Sequence, residues 1–315
     1  MEPLISLIIL VVSLAVLAKS AEIVIDNATK LSNFFGISHV AIGFCFLSTI
    51  TSLPELSVSI NSSVIEKGAL AAGNVFGSNI ADILLVLGIC AFLFQIRLRE
   101  TMVKDILILL LGVSSITLLI IYSVGLGVIE GALLITLFIV YVLYLLRRKA
   151  PNDLVREHIT KGEAFRAFLW FCIGILFVMV SSGFAVNSGV RLAEALGVAK
   201  SFIGATLIAV GTSLPELSLE LQAVRKKRYG LALGDALGSC MTNTTLVLGV
   251  AALLNPVIVD LRIFAPMVMF ALLTYALFYY LITSRKTLGR KEGAILLGAY
   301  LLFILTISAA QMAAH

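Results

Sequence analysis

The heptapeptide TSLPELS occurs twice in this chain, at residues 51–57 and 212–218, and each copy lies inside an apolar run long enough to cross a bilayer. Proline removes a backbone donor and breaks helices, and a carboxylate at the bilayer centre costs at least about 2.5 kcal/mol. A chain that puts both there, twice and in the same order, must fold so that these groups find partners inside the membrane. The apolar context is extreme: 60% of the 315 residues are hydrophobic, 13% are charged and the mean hydropathy is +1.08, far outside the range of soluble domains. A helix needs about 20 residues to span the hydrocarbon, and ten runs reach that length, at approximately 3–22, 33–62, 69–93, 105–122, 126–146, 164–187, 197–224, 230–253, 263–284 and 292–311. They are continuous, unlike the short alternating segments of a β-barrel, so the expected fold is an all-α integral membrane protein of ten transmembrane helices. The first run begins Met-Glu-Pro, with no basic n-region and no small-residue cleavage site, and reads as a retained helix.

If the ten helices alternate, nineteen of the 23 basic residues fall on one side, while Lys67, Arg191, Lys200 and Arg262 fall on the other. By the positive-inside rule the basic loops belong in the cytoplasm, which places both termini outside a multi-pass protein of the cell membrane. This placement accounts for the net charge of +5 without a nucleic-acid partner. Cys45, Cys90, Cys172 and Cys240 are scattered through apolar runs with no CxxC spacing; they read as small buried hydrophobes, not as a zinc site or a disulfide framework.

An internal repeat organises the rest. Adding 161 to the numbering carries Leu31 to Leu192, Gly36 to Gly197, Gly43 to Gly204, TSLPELS to its copy, Gly73 to Gly234, Gly77-Ser78 to Gly238-Ser239 and Leu85–Gly88 to Leu246–Gly249, without a gap. The expected halves are 1–147 and 164–315, joined by the polar linker 148–163. Five helices is an odd number, so the second half enters the membrane from the opposite side. Inverted repeats with sites at their interface, built on interrupted helices, are a recurring plan of secondary transporters; here helices 2, 3, 7 and 8 are the interrupted ones.

Pro54 lacks an amide hydrogen and its ring opposes the carbonyl of Ile50, freeing backbone oxygens that only protein, water or an ion can satisfy at that depth. Together with Thr51, Ser52 and Glu55 they form an oxygen set suited to a hard cation, and Thr212, Ser213 and Glu216 repeat it. The next helix of each half adds a second polar layer. It reads GNVFGSNIAD in the first half, with Asn74, Ser78, Asn79 and Asp82, and GDALGSCMTN in the second, with Asp235, Ser239 and Asn243. Ser78 and Asp82 are four apart on one helical face, as are Ser239 and Asn243. Neither histidine nor a convincing thiol joins the set, which favours Ca²⁺ or Na⁺ over zinc, copper or iron. Glu220, one turn beyond Glu216, reads either as lining an inner vestibule or as a solvated interfacial residue. Asp235 reads as an acid favoured by the start of its helix.

Paired TSLPE segments, each followed by a G-S-x-x-[DN] helix inside five-helix inverted repeats, resemble the sodium/calcium exchanger family of the cation/calcium antiporter superfamily, over essentially the whole chain. The resemblance implies alternating access and exchange of Ca²⁺ against Na⁺ at a central cluster, with the bilayer as environment, transported ions in place of any cofactor, no catalysed reaction and no obligatory protein partner. Carried over by motif position, the implied ion ligands are Thr51, Ser52, Glu55, Ser78 and Asp82 in the first half and Thr212, Ser213, Glu216, Ser239 and Asn243 in the second, with backbone carbonyls at Ser48 and Ala209. Two positions depart from the compact prokaryotic pattern. The second-layer acid sits in the first half, at Asp82, with Asn243 opposite, and Ile50 stands where the other half has Gly211.

The same carboxylates can carry protons, which keeps a Ca²⁺/H⁺ antiporter as the alternative, although such exchangers show a GNxxE-like signature where this chain has TSLPE. A passive Ca²⁺ channel also remains. An intramembrane aspartyl protease is disfavoured: Ala232 replaces the first glycine of a GxGD signature ending at Asp235, and no YD partner occurs in a neighbouring helix.

Overall fold

The fold is given by a computed structural model that describes residues 3–65, 68–97, 101–123, 125–147, 159–195, 213–259, 261–284 and 287–314. Nearly all of it is helix. The first long helix, α1 (Pro3–Phe35), is followed by α2 (His39–Ile42), a π-type turn at Gly43–Leu47 and α3 (Ser48–Thr51). After α4 (Leu53–Val64), α5 (Gly68–Ala81) runs through a second π-type turn (Asp82–Val86) into α6 (Leu87–Leu93), and α7 (Thr101–Ser123) and α8 (Val128–Arg147) complete the first half. The second half comprises α9 (Lys161–Ala195), α10 (Leu214–Arg225), α11 (Tyr229–Thr242), the π-type turn Asn243–Val247, α12 (Leu248–Leu254), α13 (Leu261–Ser284) and α14 (Arg290–Ala314).

The offset of 161 is written into these boundaries. Moved by that number, Leu53–Val64, Gly68–Ala81, Asp82–Val86 and Leu87–Leu93 fall on the limits of α10, α11, the third π-type turn and α12. The halves also touch reciprocally. Asn79 donates to the Cys240 carbonyl at 3.2 Å, and the Cys240 thiol lies 3.6 Å from the Asn79 carbonyl. These two residues are 161 apart, and mutual contact between equivalent residues is what a two-fold relation produces.

Close contacts elsewhere follow the same plan. A Cβ on Gly249 would lie 2.9 Å from the Gly131 carbonyl, and one on Gly131 would lie 2.7 Å from that of Gly249, so α8 and α12 meet backbone to backbone. The short connection β1 (Ile96–Arg97) pairs antiparallel with β2 (Thr287–Leu288), and Leu126 and Val257 exchange backbone hydrogen bonds of 3.0 and 2.8 Å. Each half thereby clips a connection of the other.

Among the described residues, α1, α5–α6, α8, α9 and α11–α12 are long and apolar enough to cross a membrane. The pair His39–Thr51 and Leu53–Val64 makes a sixth candidate, bent by 45° at its break. The outward faces are apolar: Leu4, Ile8, Leu133, Phe165, Leu176 and Leu301 are all exposed. The interior holds both an apolar core and a dense polar set, so the usual arrangement of a soluble protein is inverted at the surface. Near the linker, α9 begins with a capping box, in which the Thr160 amide donates to Glu163 Oε2 at 2.9 Å and the Glu163 amide donates to Thr160 Oγ1 at 3.3 Å. Residues 148–158 of the expected linker, and residues 197–212 of the seventh apolar run, lie outside the described residues.

Candidate ion site

The break in the second apolar run falls where Pro54 dictates. Pro54 sits in the first turn of α4, where its missing amide costs no intrahelical bond, while the carbonyl of Ile50 at the end of α3 loses the donor it would have in a continuous helix. Ser52 caps α4 with φ −78° and ψ 5°, and Ser213 does the same for α10 with φ −90° and ψ 11°. Glu55 and Glu216 thus stand in the first turns of two helices that begin inside the protein, where the amide ends favour negative charge.

Ser48, Thr51, Ser52, Glu55, Ser78, Asp82, Ser213, Glu216, Ser239 and Asn243 are all buried. Thr212 and Ala209 lie outside the described residues. Close packing of α11 against the first half brings the two sets together. A Cβ on Gly238 would sit 2.6 Å from Ser48 Oγ and 2.7 Å from Phe44 Cα, so only glycine fits there. At that crossing Thr51 Oγ1 lies 3.4 Å from Ser239 Oγ, and Ser48 Oγ lies 3.4 Å from Thr242 Oγ1. Ser48 also donates to the Phe44 carbonyl beside the first π-type turn.

Within the first half, Ser78 Oγ donates to Glu55 Oε1 at 3.5 Å, joining the two polar layers. Glu55 Oε2, Glu216 Oε2, Ser52 Oγ, Ser213 Oγ and Asn243 Oδ1 are buried with no hydrogen-bond partner among the described residues. Buried polar atoms are nearly always satisfied, so a set of orphaned oxygens on opposed elements fits a cation that supplies the missing partner. Among the described residues, the charges that act on Glu216 are the carboxylates of Glu55, Asp82 and Asp235. Among the described residues no three of His, Cys, Asp and Glu come close enough to chelate a metal by themselves. Hydroxyls, amide oxygens and carbonyls therefore have to complete any coordination shell, as they do for hard cations.

Asn79 belongs to the second polar layer read from the sequence, but its role was not legible there. Asn79 donates to the Cys240 carbonyl, to Thr244 Oγ1 at 2.9 Å and to Tyr275 OH at 2.9 Å, and its own Oδ1 accepts from Asn243 Nδ2 at 3.1 Å. It orients Asn243 so that Oδ1 is left free. The π-type turns that start at Asp82 and Asn243 were likewise unforeseen. Such turns add a residue to a helix and often mark functional sites, and nothing in the local apolar pattern announces them. Asp235 is a correction to the capping expectation: it stands in the middle of α11, one full turn or more from the start, and is 1% exposed. Glu220 is fully buried, so it is not a solvated interfacial residue.

A multi-pass bundle with an apolar exterior, one bent and broken span and orphaned oxygens around buried acids fits an integral membrane transporter of cations. The comparisons with known proteins are specific. The profile of the family described as "Sodium/calcium exchanger protein" matches residues 5–147 and 166–309, and the chain belongs to that family. The inner membrane protein YrbG of Escherichia coli (strain K12) is 31% identical over 307 residues, covering 94% of each chain. The sodium/calcium exchanger MaX1 of Methanosarcina acetivorans is 26% identical over 352 residues, covering 96% of this chain and 98% of its own. A solved structure of the sodium-calcium exchanger NCX_Mj superposes with a TM-score of 0.83 at 26% identity, covering 96% of this chain and 98% of the other.

Proposed function

We propose that this protein exchanges Ca²⁺ against Na⁺ by alternating access, with the two ions competing for one site at the middle of the membrane. The observation that carries this reading is the pair Glu55 and Glu216, each 2% exposed, each with an oxygen unpartnered among the described residues, each in the first turn of a helix that begins inside the protein, and close enough for the charge of Glu55 to act on Glu216. Ca²⁺ binds between these carboxylates with Thr51, Ser52, Ser213 and Thr212, and the second layer of Ser78, Ser239, Asp82 and Asn243 completes the cluster together with the carbonyls of Ser48 and Ala209. Na⁺ ions load the same carboxylates from either side. Empty, the acids repel each other and resist burial; occupied by either cargo, they are neutralised and the occluded state becomes accessible.

Ten transmembrane helices in two inverted halves, 1–147 and 164–315, provide the two-fold pathway, with helices 2, 3, 7 and 8 interrupted at the site. The shared element boundaries and the reciprocal Asn79–Cys240 contact support the inversion. The basic loops then face the cytoplasm and both termini face outward.

The test is radiolabelled Ca²⁺ uptake into proteoliposomes with Na⁺, K⁺ and pH gradients imposed one at a time. An outward Na⁺ gradient at fixed pH should drive uptake, and Glu55→Gln should abolish it while the protein stays folded. Uptake that follows the pH gradient alone would assign protons as the counter-ion. Substantial Ca²⁺ flux in Glu55→Gln would sink the site assignment.

A further inference from the structure

Two buried acids take no part in the cluster just described. Glu220 on α10 is 0% exposed and Asp235 on α11 is 1% exposed, and all four of their carboxylate oxygens lack a hydrogen-bond partner among the described residues. The charges acting on Glu220 are those of Asp235 and Asp82. The internal repeat supplies a control for this pair. Moved back by 161, Glu220 becomes Ser59 and Asp235 becomes Asn74. In the first half those two side chains form an ordinary neutral contact: Asn74 Nδ2 donates to Ser59 Oγ at 3.2 Å and to the Glu55 carbonyl at 3.1 Å. One amide donor and two neutral acceptors join α4 to α5 there. At the same two places the second half puts two acceptors and four negative oxygens, which cannot bond each other without a third party.

We infer that Glu220 and Asp235 form a second cation site, separate from the midplane cluster and specific to the second half, that takes a hard divalent cation of the Ca²⁺ type. Two carboxylates neutralise one divalent ion, and a shell made only of oxygen, completed by backbone carbonyls or water, is what Ca²⁺ accepts. A transition metal is disfavoured by the donor set. The site lies one helical turn from Glu216 along α10 and one turn from Ser239 along α11, so a cation held there is a neighbour of the transport site and does not compete for its ligands. The inference does not depend on Na⁺ being the counter-ion.

The repeat also supplies the variant. Glu220→Ser with Asp235→Asn installs the pair that the first half already uses, and Glu220→Gln with Asp235→Asn removes the charge at nearly constant volume. Equilibrium dialysis of radiolabelled Ca²⁺ against the purified full chain in detergent should give one bound Ca²⁺ fewer per chain in either double variant than in wild type. In a Glu55→Gln/Glu216→Gln background, Ca²⁺ should still raise the unfolding temperature, and adding Glu220→Gln/Asp235→Asn should remove that rise. If the serine variant fails to fold, the near-isosteric one decides. An unchanged Ca²⁺ count in the double variant, or loss of all Ca²⁺ binding on mutating Glu55 and Glu216 alone, overturns the inference. Failure of the midplane reading would appear instead as flux in Glu55→Gln, which leaves this count untouched.

Discussion

Replacing Asn243 with aspartate changes one nitrogen to oxygen at a position where the orientation of a neighbour is already fixed. Asn79 spends its amide hydrogens on the Cys240 carbonyl at 3.2 Å, Thr244 Oγ1 at 2.9 Å and Tyr275 OH at 2.9 Å, which leaves its oxygen facing Asn243 Nδ2 at 3.1 Å. In Asn243→Asp that contact becomes oxygen against oxygen. Turning the Asn79 amide over relieves it only by setting its oxygen against the Cys240 carbonyl. Losing the bond and leaving a buried acceptor unpaired costs about 1–3 kcal/mol, and the new charge joins the acids already near Glu216. The charge-conserving exchange Asp82→Asn/Asn243→Asp keeps the number of acids and should still lose about 1–3 kcal/mol. A double-mutant cycle isolates the cause, since Asn79→Cys installs the residue that the other half carries at that place. Asn79→Cys should cost less in the Asn243→Asp background than in wild type, with an interaction energy of about 1–3 kcal/mol, read from unfolding midpoints of the ion-free protein in detergent. Additivity to within about 0.5 kcal/mol would refute the reasoning, and so would full Na⁺-driven Ca²⁺ uptake by the charge-exchanged variant.

Glu216→Gln should stabilise the ion-free protein, because burying an ionised carboxylate costs at least about 2.5 kcal/mol on insertion scales, and should remove the midplane site's share of the Ca²⁺-dependent gain, about 2.7 kcal/mol at a hundredfold excess over that site's Kd, leaving only the smaller rise that Glu220 and Asp235 supply; thermal unfolding with and without Ca²⁺ measures both. Gly238→Ala places a Cβ 2.6 Å from Ser48 Oγ, an overpacking cost of about 1–3 kcal/mol offset by up to about 1 kcal/mol of helix propensity. Its Ca²⁺ affinity, measured by dialysis, should fall because Ser48 must move. Lys226 ties α10 to α1 through Asp26 at 2.6 Å and Glu22 at 3.2 Å; these groups are partly exposed, so Lys226→Ala should cost no more than about 1 kcal/mol, and the difference should vanish in high salt.

The heptapeptide was legible because its chemistry contradicts its surroundings. Pro54 and Glu55 in an apolar run admit few explanations, and the structure breaks the helix there and buries the acid. The repeat was legible because polar residues and glycines hold one register, and the element boundaries keep it to the residue. Asn79 was harder to read, since its role depends on Cys240, Thr244 and Tyr275, residues 161 to 196 positions away. Asp235 was misread for a related reason: a position counted along one helix says nothing about the helix packed over it.

Two halves with one backbone and different side chains pose a question of charge that the midplane site alone does not answer. Among the described residues Glu55, Asp82, Glu216, Glu220 and Asp235 are buried, whereas no lysine or arginine is, and His39 is the one buried basic side chain. One Ca²⁺ between Glu55 and Glu216 balances two of these five acids. If the other three stayed ionised and unpaired, each would cost several kcal/mol, together comparable to the whole stability of a folded domain. The occluded protein must therefore hold further cations or protons. Asp82 belongs to the second layer of the transport site and can share its ions, but Glu220 and Asp235 stand a helical turn away, where the first half manages with a serine and an asparagine. Since that neutral pair shows that packing alone does not require acids at these positions, the second half's pair contributes through what it binds.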